Sequence, residues 1–95
     1  MVLFHVTYIA EDKEAIRGFY EEAVKGGVVS KSREEKGCIC YEYSWPAERE
    51  NELFLKEKWT DRDVHKSHTY QEHFKFLGTI KEKYGIETEV ESYDV

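Results

Sequence analysis

The chain has 95 residues, enough for a single domain over residues 1–95 with a modest core, because a chain of this size hides only about two-thirds of its unfolded surface on folding. Its formal charge is −6 with acids and bases interleaved, so there is no basic stripe for nucleic acid or an anionic membrane surface, and no apolar run approaches the roughly 18 residues of a membrane span. Aromatic residues make up 15% of the sequence, more ring surface than one small monomer readily buries, so composition alone predicts a partner subunit or a cavity.

Residues Val2 to Ile9 read as the first strand. Val2, Phe4, Val6 and Tyr8 fall on one face and Leu3, His5, Thr7 and Ile9 on the other, both largely apolar. The opening Met1-Val2-Leu3-Phe4-His5 has neither a basic segment nor a long apolar run, so no signal peptide is expected and the cytoplasm is the default location. Asp12 can cap a helix whose apolar stripe is Ala15, Ile16, Phe19, Ala23 and Val24. Gly26-Gly27 interrupts it, Val28 to Glu35 resumes as helix, and Gly37 ends the segment.

Cys38 to Trp45 reads as the second strand, with Ile39, Tyr41 and Tyr43 on one face. Cys38 and Cys40 would share the other face, pointing outward in parallel; that suits neither a local disulfide nor a closed zinc site, and they read as small fillers in a reducing compartment. Residues 46–52 form a hairpin loop around Pro46, and Leu53 to Trp59 is the third strand. Leu53, Leu55, Glu57 and Trp59 share one of its faces.

Thr60-Asp61-Arg62-Asp63 has the spacing of a Thr cap answered by an acid, opening a short helix to His68. Thr69-Tyr70-Gln71-Glu72 repeats that spacing before a helix carrying Phe74, Leu77 and Ile80, which ends at Tyr84-Gly85. Ile86 to Tyr93 is the last strand. The order is β-α-β-β-α-β, an α+β ferredoxin-like arrangement with helices over one face of an antiparallel sheet. The bare face predicts a homodimer that leaves a hollow between helices and sheet.

The segment from Gly37 to Phe74 carries the residues that suggest chemistry. Ser32-Arg33-x-Glu35-x-Gly37-Cys38 leads to Tyr41; Glu57-x-Trp59 closes the third strand; His68 is followed by His73-Phe74. With these motifs in this order, nearly the whole chain resembles the antibiotic biosynthesis monooxygenase domain family. The resemblance implies a dimeric α+β barrel of ferredoxin-like subunits and the oxidation of a small electron-rich, quinol-like aromatic with O₂, with no metal or flavin. Haem-degrading relatives place an Asn in the first strand and a His a turn after the last helix's Phe; here the strand has no Asn and Gly78 stands four residues after Phe74. Tyr70-Gln71-Glu72 replaces the small residues usual before His-Phe.

Oxygenation without a cofactor needs a base for a phenolic proton, a dry cavity and donors for the developing oxyanion. His68 is the candidate base, and Trp59 the aromatic wall beside it. Each also has a purely structural role open to it, His68 bonding backbone where two helices meet and Trp59 wedging a strand end against the next helix. Phe4 and Tyr41 complete the expected wall, while His5, Glu57 and His73 are candidate substrate contacts. Glu57, on an apolar face, needs a partner, either a basic residue or one of the histidines. His65 and His68 lie three apart with Glu72 and His73 near, but no acid cage or His-x-x-x-His ladder completes the set, so neither metal nor other cofactor is expected. The rival to an enzyme is a non-catalytic dimer that holds a small lipophilic or aromatic ligand, with haem handling a third reading.

Overall fold

A computed structural model describes residues 1–95. Eight elements follow in chain order: β1 (Val2–Ile9), α1 (Lys13–Lys25), α2 (Val28–Glu34), β2 (Cys38–Ser44), β3 (Glu52–Trp59), α3 (Arg62–His68), α4 (Glu72–Tyr84) and β4 (Glu87–Asp94). The strands form one antiparallel sheet in the order β2-β3-β1-β4. This is the ferredoxin-like α+β arrangement, with each of the two helical crossovers split in two. No helix is long and apolar enough to cross a membrane.

Alternation along the central strands decides what is buried. Val2, Phe4, Val6 and Tyr8 of β1 and Leu53, Leu55, Glu57 and Trp59 of β3 all lie on the helix side and are all buried. Ile16, Phe19 and Ala23 of α1 and Leu77 and Ile80 of α4 close over them. A fully buried side chain such as Phe19 stabilises the fold by roughly 1.5–3 kcal/mol relative to exposure. Asp12 caps α1, accepting from the Ala15 N–H at 2.9 Å. Val24 of the expected stripe is exposed, because α1 ends one residue later at Lys25.

The structure corrects four local expectations. Asp61, not Thr60, caps α3: its carboxylate stands three residues before Val64 and accepts that N–H at 2.8 Å. Thr69 does not open α4 but closes α3, and Gln71 precedes α4 with no side-chain cap. Trp45 falls outside β2, which ends at Ser44. A bulge between Cys38 and Cys40 inserts Ile39 as an extra residue, which is exposed. The bulge resets the alternation: Cys38 pairs with Trp59 on the helix side, Cys40 with Lys58 on the outer side, so the two thiols occupy opposite faces. It also puts Tyr41 opposite Glu57.

Candidate active site

Between the sheet and α4 lies a cavity of about 210 Å³. Phe4, Val6 and Tyr8 of β1 form its floor with Glu57 of β3. One helical stripe, Phe74, Leu77, Gly78 and Lys81 of α4, forms its roof, since residues three, four and seven apart share a helix face. His65 of α3 closes one end, and Thr88 and Val90 line the side toward the edge strand β4, where Val90 is 56% exposed.

Glu57 is the acid within this largely apolar lining. Its Oε1 accepts the Trp59 indole N–H at 3.1 Å, while Nε2 of His65 and Nε2 of His68 each stand 3.9 Å away, beyond hydrogen-bond range. Burial raises the carboxyl from 4.5 to about 7; the Trp59 bond opposes that rise and the Glu35 charge adds to it. A carboxyl held there exchanges a proton near neutral pH, the property required of a general base.

His65 lies flat on Phe4, ring centroids 3.9 Å apart. Burial, with repulsion from His68 and Arg62, lowers it to about 4, so near neutral pH it is an uncharged imidazole able to donate one hydrogen bond. Burial raises Tyr8 well above its ordinary value, with Tyr43 and the Glu57 charge adding to the rise, so its hydroxyl stays protonated.

His68 is 2% exposed and sits behind Glu57 rather than in the lining. Its Nδ1 stands 2.5 Å from Glu35 Oε2, and the same oxygen lies 2.8 Å from His73 Nε2. A carboxylate only accepts, so both imidazoles present N–H to Glu35, which leaves His68 Nε2 bare on the Glu57 side. Burial lowers the pKa of His68 and the Glu35 bond pulls it back up. Glu35, His68 and His73 bring three donor atoms within 4.8 Å of one another, the one such set that could hold a divalent ion. In the structure those atoms satisfy each other.

The structure thus brings Phe4 and Glu57 into the cavity and places Trp59 and Tyr41 behind it, 0% and 1% exposed. His73 joins the Glu35 network. His5 is on the outer sheet face, in a separate depression of about 390 Å³ with Thr7, Lys56 and Glu91. Sequence reasoning gave no substrate role to His65, Lys81, Thr88 or Gly78. Two signals were present: His65 precedes His68 by one helical turn, and Lys81 extends the Phe74 stripe by two. Glu35 was visible only as part of the Ser32–Cys38 motif, and nothing local marked its contact with His68, made across 33 residues of chain.

The family model for antibiotic biosynthesis monooxygenase matches residues 4–76. Among solved structures, a candidate antibiotic biosynthesis monooxygenase from Deinococcus radiodurans superposes with TM-score 0.88 at 18% identity, covering 100% of this chain and 92% of that one. A conserved Methanosarcina mazei protein gives 0.81 at 23% identity over 98% and 91% of the two chains. SnoaB, a cofactor-independent oxygenase from Streptomyces nogalater, gives 0.76 at 13% identity over 99% and 91%. At these identities the likenesses show the shared fold. No curated protein matches the chain by sequence. The family match spans most of the sequence and includes the Glu57, Trp59, His68 and His73 positions, so the chain belongs to the antibiotic biosynthesis monooxygenase family.

Proposed function

We propose that this protein is a cofactor-independent monooxygenase acting on a small, electron-rich, quinol-like aromatic. The observation that carries the reading is Glu57, a carboxyl held near 7 inside an apolar cavity. Glu57 takes the phenolic proton. The resulting anion supplies electrons to O₂; one oxygen atom enters a ring carbon as a carbonyl, and the other leaves as water with that carbon's hydrogen and the phenolic proton. His65 donates to the developing oxyanion, and the largely apolar lining lowers the polarity around it. His68, fixed by Glu35, backs Glu57 and does not meet the substrate. A volume of about 210 Å³ fits one substituted ring, since roughly 150 Å³ already admits benzene, and gives haem handling no support.

Oxygen uptake with a panel of substituted hydroquinones tests this. Glu57→Gln is expected to lower kcat by about 10²–10⁴ with little change in melting temperature at pH 6. Absence of uptake across the panel, or a fully active Glu57→Gln enzyme, removes the reading. A non-catalytic binder would instead be stabilised by aromatics that come back unchanged.

The working unit in this reading is a homodimer. The outer sheet face has no helix over it, yet carries half-buried Leu3, Thr7, Ile9 and Phe54. Lys56 and Lys58 of β3 and Glu87, Glu89 and Glu91 of β4 share that face, on either side of β1. A two-fold axis along the strands would set the lysines of one copy over the acids of the other. Light scattering is expected to show a dimer, and Phe54→Arg a monomer.

A further inference from the structure

The cavity has two polar ends, and the reading above uses only one. Register fixes them: Glu57 stands opposite Phe4, and Thr88 opposite Tyr8. Four residues of extended strand separate these pairs, about 13 Å at the usual rise. His65 lies with Glu57 at the Phe4 end.

At the Tyr8 end two groups lack partners. Thr88 Oγ1 is buried with no hydrogen bond. Lys81 lies over the Tyr8 ring, Nζ 5.7 Å from its centroid, and is partly buried. Its neighbours on α4 are ion-paired, Lys75 with Glu72 and Lys83 with Glu22, but no carboxylate stands within salt-bridge range of Lys81. A partly buried cation and an orphaned hydroxyl facing one cavity are a receptor for an oxyanion. Burial lowers the pKa of Lys81, and an arriving anion would reverse that.

Between the two ends the lining is Val6, Leu77, Val90 and the bare backbone of Gly78. A methyl group at Gly78 would meet no atom within 4 Å, so no side chain crowds this part of the exposed roof. We infer that the substrate is a single-ring phenol with a carboxylate on a short side arm, its hydroxyl at Glu57 and its carboxylate on Lys81 and Thr88. The inference rests on the proposed placement of the reacting hydroxyl at Glu57. It adds a rule of selection: neutral hydroquinones are poor ligands, and polycyclic ones do not fit.

The probes are 3-(2,5-dihydroxyphenyl)propanoate and its methyl ester, titrated calorimetrically under anaerobic conditions, so that recognition is read apart from oxygen chemistry. The wild-type protein is expected to bind the acid about tenfold more tightly than the ester. Lys81→Met should make acid and ester equal, Lys81→Gln should do the same, and Thr88→Val should weaken the acid several-fold. Lys75→Met, on the exposed side of α4, should leave the preference intact. Equal binding of acid and ester by the wild type, retention of the preference in Lys81→Met, or binding of neither probe overturns the proposal. Tight binding of the acid without oxygen uptake upholds the recognition and removes only the oxygenation.

Discussion

Trp59 donates its indole N–H to Glu57, two residues earlier on the same face of β3. Alternation brings the two side chains together, and the antiparallel partner sets what faces them: Phe4 of β1 beside Glu57, Val2 beside Trp59. The bond supplies the one protein hydrogen bond that Glu57 receives, against a burial that disfavours its charge. It therefore pulls the carboxyl's titration down against the larger effect of burial, and the tryptophan need not touch a substrate to matter.

Trp59→Phe keeps an aromatic wedge and removes the donor. The pKa of Glu57 should then move above about 7, because the bond to Trp59 is the influence that lowers it. Carbon-13 NMR titration of the Glu57 carboxyl reads the shift directly, and the ascending limb of the rate profile should move up in pH with it. A downward shift, or none, would show that the indole does not tune the acid.

Glu57 also makes stability depend on pH. Its folded pKa is raised, so its contribution is complete below 4.5 and is lost as pH rises through about 7. The span between those values is worth on the order of 3 kcal/mol at full ionisation. The histidines act in the opposite sense. His65, lowered to about 4, and His68, also lowered, contribute stability that is present above 6.5 and lost as pH falls through their folded values. Thermal melts from pH 4 to 8 should therefore show Glu57→Gln close to wild type at the acid end and clearly more stable at pH 8. A variant that melts below wild type at pH 8 contradicts the burial penalty.

Much of the frame is legible in the sequence because it rests on local periodicity. The β1 and β3 alternations, the Asp12 cap and the Gly26-Gly27 break each sit within a few residues, and their physical causes are short-ranged. The Thr60 cap failed because Thr60 and Asp61 offer the same chemistry one residue apart, and only the φ/ψ of the chain selects between them; the Thr69 cap failed because Thr69 ends α3 and α4 starts after Gln71 with no side-chain cap. The bulge at Ile39 was invisible because strand alternation carries no mark for an inserted residue; it moved Cys38 to the helix side and Cys40 to the outer one. The site followed the same division. Glu57 and Trp59 could be read as neighbours from their spacing. The Glu35–His68 contact could not, because it is made by packing between segments 33 residues apart.

Gly37 is where those segments are held in register. Its φ is +88°, its carbonyl accepts the Thr60 N–H at 2.9 Å, and a Cβ there would stand 2.5 Å from Val64 Cγ1 and 2.8 Å from Thr60 Oγ1. Gly37→Ala thus combines a left-handed backbone with a collision against α3. A loss of about 2 kcal/mol or more is expected, and about 8 °C or more in melting temperature for a domain of this size. A melting temperature unchanged within a degree would show that the α2–β2 junction relaxes freely.

Glu35 separates a hydrogen-bonding role from a charge role. Glu35→Ala leaves the two N–H groups of His68 and His73 without an acceptor in a buried site, at about 1–3 kcal/mol for each. Glu35→Gln retains one acceptor oxygen and should cost clearly less. In both variants the pKa of His68 should fall further, since the Glu35 bond is the first influence holding it up against burial. Urea unfolding gives the stabilities and imidazole proton NMR the titration. Equal stability of Glu35→Ala and wild type would mean that solvent already satisfies the two rings.

Gly78 lies within α4 over the cavity, with open space where a side chain would point. A mid-helix glycine costs about 1 kcal/mol relative to alanine, a loss that packing at this position does not require. Gly78→Ala should therefore raise the melting temperature by about 4–8 °C while still admitting one ring. Gly78→Leu should keep the helix gain but place its branched end in the space a ring would occupy, so that phenol binding falls at least tenfold in a protein no less stable than wild type. Stability and binding then move in opposite directions, which general unfolding cannot produce. If Gly78→Leu binds the phenolic probes as wild type does, the ligand lies elsewhere than under α4.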